Sequence, residues 1–386
     1  MRFQLDLTKE YGIVLEGGGA KGSYQIGAWK ALKEAGLRIR GIAGVSVGSL
    51  NGALICMDDL EKAEYIWENI SYSKVMDVDD DMMESVKKWD LKAIDLRQIT
   101  EEAKRILKDK GFDITPLKQL IDSSIDEEKI RSSDREFYIT TYSVTDHQLL
   151  TLEVNDIPEG EIGDMLLASA YFPAFKNQKL KGRRYMDGGG WNNVPVNVLL
   201  DQGYEDILVI RIYGLGFDSE KITEIPDEVN VYHIAPRQDL GGILEFDKKQ
   251  ARKNMTLGYY DAKRLLYGLE GRWYYIDAPH SEAYYFDRMM SEIERILSFW
   301  YQEKELFWSD ELEGYRMYTE VVFPAMAKEM KLKENWTYKD FYLSMLECLA
   351  RRKRINRFQI YTADQLRQQV IQKYEKAWET QGGEEK

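Results

Sequence analysis

The residues of this chain best suited to chemistry are a serine set between glycines and, ahead of it, a run of glycines. The serine lies in Gly44-Val45-Ser46-Val47-Gly48, and the run is Gly17-Gly18-Gly19-Ala20-Lys21-Gly22. Splitting an ester by acyl transfer needs a nucleophile, a group that takes its proton, and donors for the oxyanion that develops. Gly-x-Ser-x-Gly meets the first need when the serine sits on a tight strand-to-helix turn, where the glycines Gly44 and Gly48 relieve crowding. The helix after Ser46 then points its first N–H groups toward the reacting carbonyl. The glycine run meets the third need, because N–H groups with no side chain beside them approach a substrate oxygen closely.

The run also matches G-x-G-x-x-G, the fingerprint of a dinucleotide site. Such a site wants Asp or Glu at the end of the second strand, to hold a ribose hydroxyl. That strand here ends Ile42-Ala43-Gly44-Val45-Ser46, with no acid, so the dinucleotide reading is the weaker one and no cofactor is expected. No ligand cluster suggests a metal. The proton acceptor is sought among three histidines, His147, His233 and His280, none of which has a glycine-rich or turn-like catalytic setting. A Ser-His-Asp triad on an α/β-hydrolase scaffold would also place several strands before the nucleophile, and only two precede Ser46. Asp187 is the better partner: it closes a strand-like segment and precedes Gly188-Gly189-Gly190. An isolated Asp-Gly-Gly is more often a plain turn, but burial raises a carboxylate's proton affinity toward that of a useful base.

Tyr11 to Leu15 reads as a buried strand, Ser23 to Ala35 as a helix with Ile26, Trp29 and Leu32 at helical spacing, and Ile39 to Val45 as a second strand. A helix carrying Leu50, Ala53, Leu54 and Met57 follows. This β-α-β-α order predicts a parallel sheet covered by helices. Residues 58–135 are charged, include a helical stretch at Ile99 to Lys110, and read as a helical insertion or flap. Strands are expected again at Phe137 to Tyr142, Leu149 to Val154, Ile207 to Ile212 and Val229 to Ile234, with a helix near Ile162 to Ala170. From Ser281 the pattern turns helical, with Phe286, Met289, Met290, Ile293, Ile296, Leu297 and Trp300 on one stripe. Thr362 with Gln365 predicts a capping box, and residues 379–386 a disordered tail.

The chain has 386 residues, 44% hydrophobic and 31% charged, which is ordinary for a globular protein. A net charge of −13 argues against nucleic acid as a partner. No apolar run is long enough to span a bilayer. Two cysteines, Cys56 and Cys348, in unrelated surroundings and no signal-like opening lead to the expectation of a cytoplasmic protein, peripheral at a membrane when it meets lipid. Two segments are candidates for transient membrane-surface contact: the basic run Arg351-Arg352-Lys353-Arg354-Ile355-Asn356-Arg357, and the aromatic group Trp273, Tyr274, Tyr275, Tyr284, Tyr285 and Phe286. Each also has a plain reading, as a solvated helix end and as core.

Taken together, these motifs resemble those of the patatin-like phospholipase family. The resemblance rests on Ile13 to Leu32, on Gly44 to Gly48 extended by Leu50-Asn51-Gly52-Ala53, on Ala168-Ser169-Ala170-Tyr171-Phe172-Pro173, and on Asp187-Gly188-Gly189 with Asn193-Val194-Pro195-Val196, in that order. It covers roughly residues 10–270, weakly over 60–130, and leaves 281–386 unexplained. It implies a three-layer α/β fold with a mostly parallel central sheet and a lipid acyl hydrolase domain over 1–275, while the helical region over 281–378 rests on the apolar spacing alone. It implies a Ser46–Asp187 dyad, with backbone N–H groups of Gly17, Gly18, Gly19, Ala20, Lys21 and Gly22 as the oxyanion hole. The charge of Lys21, at a position usually basic in the family, would favour a lipid phosphate. The implied reaction is hydrolysis of fatty acyl esters of phospholipid or lysophospholipid. An acyltransferase using the same nucleophile, and a non-catalytic lipid-binding or scaffold protein on the same fold, are the alternatives. Oligomeric state is silent.

Overall fold

The computed structural model describes residues 3–81, 111–176, 178–301 and 315–383. The helical stretch expected at 99–110 lies outside the described residues. The chain divides into two compact units, Leu5–Leu265 and Met1–Gln4 with Leu266–Lys386.

The first unit is built on a seven-stranded sheet. Its strands are β1 (Glu10–Leu15), β2 (Arg38–Val45), β3 (Glu136–Ser143), β4 (Gln148–Glu153), β5 (Tyr185–Asp187), β6 (Asp206–Ile210) and β7 (Asn230–Ile234). Their order is β4-β3-β2-β1-β6-β7, with β5 also pairing β3. The pairs β1–β2, β2–β3, β1–β6 and β6–β7 are parallel, whereas β3 pairs β4 and β5 antiparallel. Five consecutive residues of β1 and all five of β6 are buried, as strands covered on both faces must be.

Strand alternation sorts the packing. Val14, Ala43, Ile207 and Val209 face one way and pack against α7 (Val196–Asp201) through Val196, Val198 and Leu199. The neighbouring Ile42 faces the other way and meets α2 (Val47–Cys56) so closely that a Cβ on Gly52 would lie 3.1 Å from it. The helix α1 (Ser23–Glu34) also packs against α2. Between β2 and β3 lie α3 (Leu60–Glu68), α4 (Thr115–Ser124) and α5 (Glu127–Arg131), and α6 (Ile162–Ser169) packs on β3 and β5. The helix α8 (Lys248–Tyr267) follows β7.

The second unit packs α9 (Glu282–Met290), α10 (Ile293–Tyr301), α11 (Phe323–Glu329), α12 (Tyr338–Arg352) and α13 (Ala363–Gly383). It also holds a parallel pair, β8 (Tyr275–Asp277) with β9 (Ile360–Thr362), that the helical pattern did not announce. The expected capping box forms: Thr362 N–H donates to Gln365 Oε1 at 2.9 Å, and Gln365 N–H to Thr362 Oγ1 at 3.1 Å. The helix it opens runs to Gly383, so 379–383 is helical where disorder was expected, with no breaker before Gly382-Gly383. Residues 384–386 lie outside the described residues. Tyr274 and Tyr285 are core, with Trp273 and Phe286 packed against them, which is the plain reading of that aromatic group. The basic run lies partly on rings: Arg351 over Trp273, Arg352 over Trp300 and Lys353 over Tyr374, at 3.9, 4.5 and 4.3 Å. Among the described residues no helix is long and apolar enough to cross a membrane.

Candidate active site

Ser46 sits between β2 and α2 at φ 56°, ψ −129°, a region side chains rarely adopt. Three sets of contacts hold it there. Its N–H donates to Ser169 Oγ at 2.8 Å. Its carbonyl accepts from Ser49 N–H at 2.9 Å, opening α2. Glycines permit the tight packing: a Cβ on Gly48 would lie 2.2 Å from the Leu15 carbonyl, and one on Gly44 2.6 Å from the Gly48 backbone. Ser169 in turn donates to the Thr140 carbonyl at 2.7 Å, so Ser49 must be the donor in its 3.0 Å contact with Ser169. A side chain on α6 thereby fixes a strained serine on the β2–α2 turn.

Asp187 reaches Ser46 by way of β3. Val45 pairs with Thr140, and Asp187 pairs with Thr141, the next residue along the same strand. Because β4 occupies the opposite edge of β3 over Tyr138 to Ser143, β2 and β5 share one edge and meet end to end. Asp187 Oδ1 accepts from Gly189 N–H at 2.8 Å, which shapes the turn that follows. Part of Asp187 reaches the cleft, yet protein surrounds it on nearly every side. Burial pushes its carboxyl up to about 6, against the opposing pull of hydrogen bonds from the Ser46 side chain and the Gly189 N–H.

The glycine run lies beside both. A Cβ on Gly17 would stand 3.2 Å from Ser46 Cβ and 2.6 Å from Asn193 Oδ1. Gly19 adopts φ +57° with its α-carbon pressed toward the Ile243 carbonyl, where a Cβ would sit 2.1 Å away. Three N–H groups of the run are already engaged: Gly17 with the Asn193 carbonyl, Ala20 with that of Ile243, and Lys21 with that of Gly18. Among the described residues, the N–H groups of Gly18 and Gly19 have no acceptor, and both residues line the cleft with Ser46. Val47 N–H, the first after the serine, is likewise without an acceptor and lines the same cleft. Ala20, Lys21 and Gly22 do not line it, and Lys21 Nζ donates to the Tyr213 carbonyl at 2.8 Å.

Glu16, immediately before the run, braces it. The residue is 2% exposed, and its carboxylate accepts from the N–H groups of Ile212, Tyr213 and Gly214 at 2.6, 3.0 and 3.2 Å, from Asn193 Nδ2 at 3.4 Å and from Arg211 Nε at 3.1 Å. Burial works against the Arg211 charge, but Asp218 and Glu16 more than offset it and hold the guanidinium above its ordinary value. Asn193 Nδ2 also donates to the Gly17 carbonyl at 3.2 Å, joining the aspartate turn to the glycine run. A second buried set, Gln25, Asn51 and Trp67, ties α1, α2 and α3: Asn51 donates to the Gly22 carbonyl and accepts from Trp67 Nε1 at 3.0 Å. Glu16 and Ser169 were missed as functional candidates. A glutamate beside glycines reads as a surface acid, and no local pattern shows that Ser169 reaches β2.

The cleft over Ser46 encloses about 1000 Å³ of empty space, its open mouth included. Its walls are apolar, from Leu50 and Leu54 on α2, Trp67 on α3, Leu117 and Ile121 on α4, and Phe172 and Phe175. The segment 58–135 therefore supplies wall residues where it is described. None of the three histidines lines the cleft. His147 sits in the β3–β4 turn at φ 56°, and His233, on β7, pairs with Glu220. A serine, a buried carboxylate with raised proton affinity, and unpaired N–H groups at the floor of an apolar cleft are the parts that acyl transfer requires.

A family model described as patatin-like phospholipase matches residues 13–200. Among curated proteins, neuropathy target esterase sws of Drosophila melanogaster is 29% identical over 220 residues, which is 57% of this chain and 14% of that protein. Lysophospholipase nte1 of Aspergillus terreus is 52% identical over 50 residues, 13% of this chain and 3% of that protein. The chain thus spans a small part of the length of these relatives. Among solved structures, VipD from Legionella pneumophila aligns over 87% of this chain and 90% of that one, with 13% identity and a TM-score of 0.41.

Proposed function

We propose that this chain, whose residues 13–200 belong to the patatin-like phospholipase family, hydrolyses fatty acyl esters of phospholipid or lysophospholipid through Ser46 and Asp187. The observation that carries the reading is that Ser46, Asp187 and the backbone of Gly18 and Gly19 line one apolar cleft. Ser46 Oγ attacks the ester carbonyl carbon as its proton passes to Asp187. The carbonyl oxygen becomes an oxyanion facing the N–H groups of Gly18, Gly19 and Val47. Collapse of the tetrahedral intermediate breaks the ester C–O bond, and Asp187 returns the proton to the leaving alcohol. Water then attacks the acyl-serine, giving a proton to Asp187. Release of the fatty acid restores the Ser46 hydroxyl.

The cleft's aliphatic and aromatic walls support a hydrocarbon chain as the buried part of the substrate. The test is fatty acid release from a short-chain soluble ester and from a phospholipid. Ser46→Ala and Asp187→Asn, each folded, are expected to lose activity by roughly 10⁴-fold or more. Failure of the wild type on both esters, together with failure of a fluorophosphonate to label Ser46, overturns the reading.

A further inference from the structure

The segment after β6 carries an apolar surface that the reaction at Ser46 does not use. Of the fourteen large hydrophobic residues exposed among the described residues, five fall between residues 213 and 225. Tyr213, Leu215, Phe217, Ile222 and Ile225 are 56, 69, 47, 71 and 37% exposed. In Tyr213-Gly214-Leu215-Gly216-Phe217 the large residues alternate with glycines. The glycines are pressed onto the active-site loops: a Cβ on Gly214 would lie 1.8 Å from the Gly17 carbonyl, and one on Gly216 2.3 Å from that of Gly189. The large side chains are thereby left to the outside.

This surface is rigid at its base. Tyr213 holds φ 48°, unusual for an aromatic residue, because its N–H and those of both neighbours are bonded to Glu16. Phe217 exchanges backbone hydrogen bonds with the Gly189 carbonyl and the Asn193 N–H, at 2.8 and 2.9 Å. The ordering entropy of the loop is therefore already spent before any partner arrives. The surface is also continuous with the cleft, since Leu215 lines it.

Charge narrows the partner. Asp218 and Glu220 are paired with Arg211, and Lys221 pairs with Asp218. Glu224, Asp227 and Glu228 are exposed just beyond, on a chain of net charge −13. An anionic surface would be repelled. Resting on the lipid hydrolase reading above, we propose that Tyr213, Leu215, Phe217 and Ile222 dock the cleft mouth on a neutral or zwitterionic lipid surface by apolar insertion, so that an acyl chain passes from the surface into the cleft beside Leu215.

The test uses the full chain, phosphatidylcholine vesicles and a water-soluble short-chain ester. Vesicle co-flotation is measured for wild type and for the double variant Phe217→Ser, Ile222→Ser, at low and high salt. Removing two inserted apolar side chains is expected to weaken vesicle partitioning at least tenfold at both salt concentrations. Soluble-ester turnover is expected to stay within twofold. A companion Phe217→Trp is expected to bind at least as tightly as wild type and to show a blue-shifted emission on vesicles. Unchanged binding in the double variant overturns the proposal. So does wild-type binding abolished by salt, which assigns docking to the basic run at Arg351–Arg357. Wild type that turns over the soluble ester but ignores the vesicles also overturns it and leaves the hydrolase reading standing, the exposed surface then serving a protein partner. Loss of soluble-ester turnover in the double variant, with no gain in Phe217→Trp, makes the loop a structural element and overturns docking.

Discussion

Asp187 offers the sharpest test of the chemistry, because one number governs both rate and stability. Its carboxyl rises from an ordinary 3.8 to about 6 on folding, mainly through burial. As the proposed proton acceptor it works only when ionised, so kcat/KM for a soluble ester should follow its ionised fraction. That fraction is about 0.09 at pH 5 and about 0.9 at pH 7, a tenfold rise, whereas a carboxyl left at its ordinary value would give a nearly flat profile over this range. Stability should move the opposite way. A carboxyl whose folded value is raised binds more protons in the native state, so its full contribution is present below pH 3.8 and is lost as pH rises through about 6. At about 1.4 kcal/mol per pH unit, the ionised carboxylate costs the fold about 3 kcal/mol above that window. Asp187→Asn keeps an acceptor for the Gly189 N–H and removes the charge. It should therefore be inactive yet more stable than wild type at pH 8, by up to about 3 kcal/mol, with the advantage vanishing by pH 4. The assays are initial rates and urea unfolding of both proteins, each from pH 3.5 to 8.5. An activity limb centred near 4, or a stability difference that does not change with pH, would refute the assignment of Asp187 as a buried base.

Other consequences are as direct. Ser169→Ala removes the acceptor for Ser46 N–H and the donor to the Thr140 carbonyl; urea unfolding should show a loss of about 1–3 kcal/mol, with kcat falling while KM holds. Glu16→Gln withdraws the charge from five donors, Arg211 among them, and should cost about 3 kcal/mol, read by the same unfolding and by a slower soluble-ester rate. Gly19→Ala places a Cβ 2.1 Å from the Ile243 carbonyl on a backbone at φ +57°; displacing that N–H should lower kcat about 100-fold or more, and unchanged kcat would remove Gly19 from the oxyanion hole.

The order of strands and helices around Ser46 was readable because each element is written locally. The buried strands are continuous apolar runs, α1 repeats at helical spacing, and the glycines mark where helices and strands meet. Even Thr362 and Gln365 announced their helix. What escaped were features made of unremarkable residues. Residues 207–212 read as one strand, but β6 ends at Ile210, because the N–H groups of Ile212, Tyr213 and Gly214 turn to Glu16 instead of a neighbouring strand. The pair β8–β9 joins three-residue segments far apart in the chain, too short to carry a period.

The amino-acid sequence by itself determined a parallel α/β core, a serine on a strand-to-helix turn, a glycine run able to expose N–H groups, and Asp187 closing a strand. These depend on steric and periodic rules that act over a few residues. Only the tertiary structure decided which of them meet. Thr140 and Thr141 on one strand bring Val45 and Asp187 side by side, although Ser46 and Asp187 are far apart along the chain. It also decided which N–H groups of the glycine run remain unpaired, since carbonyls of Asn193 and Ile243 take two of them. Proton affinity followed the same way: an aspartate in the sequence is an ordinary acid, and only the protein packed around Asp187 raises its proton affinity.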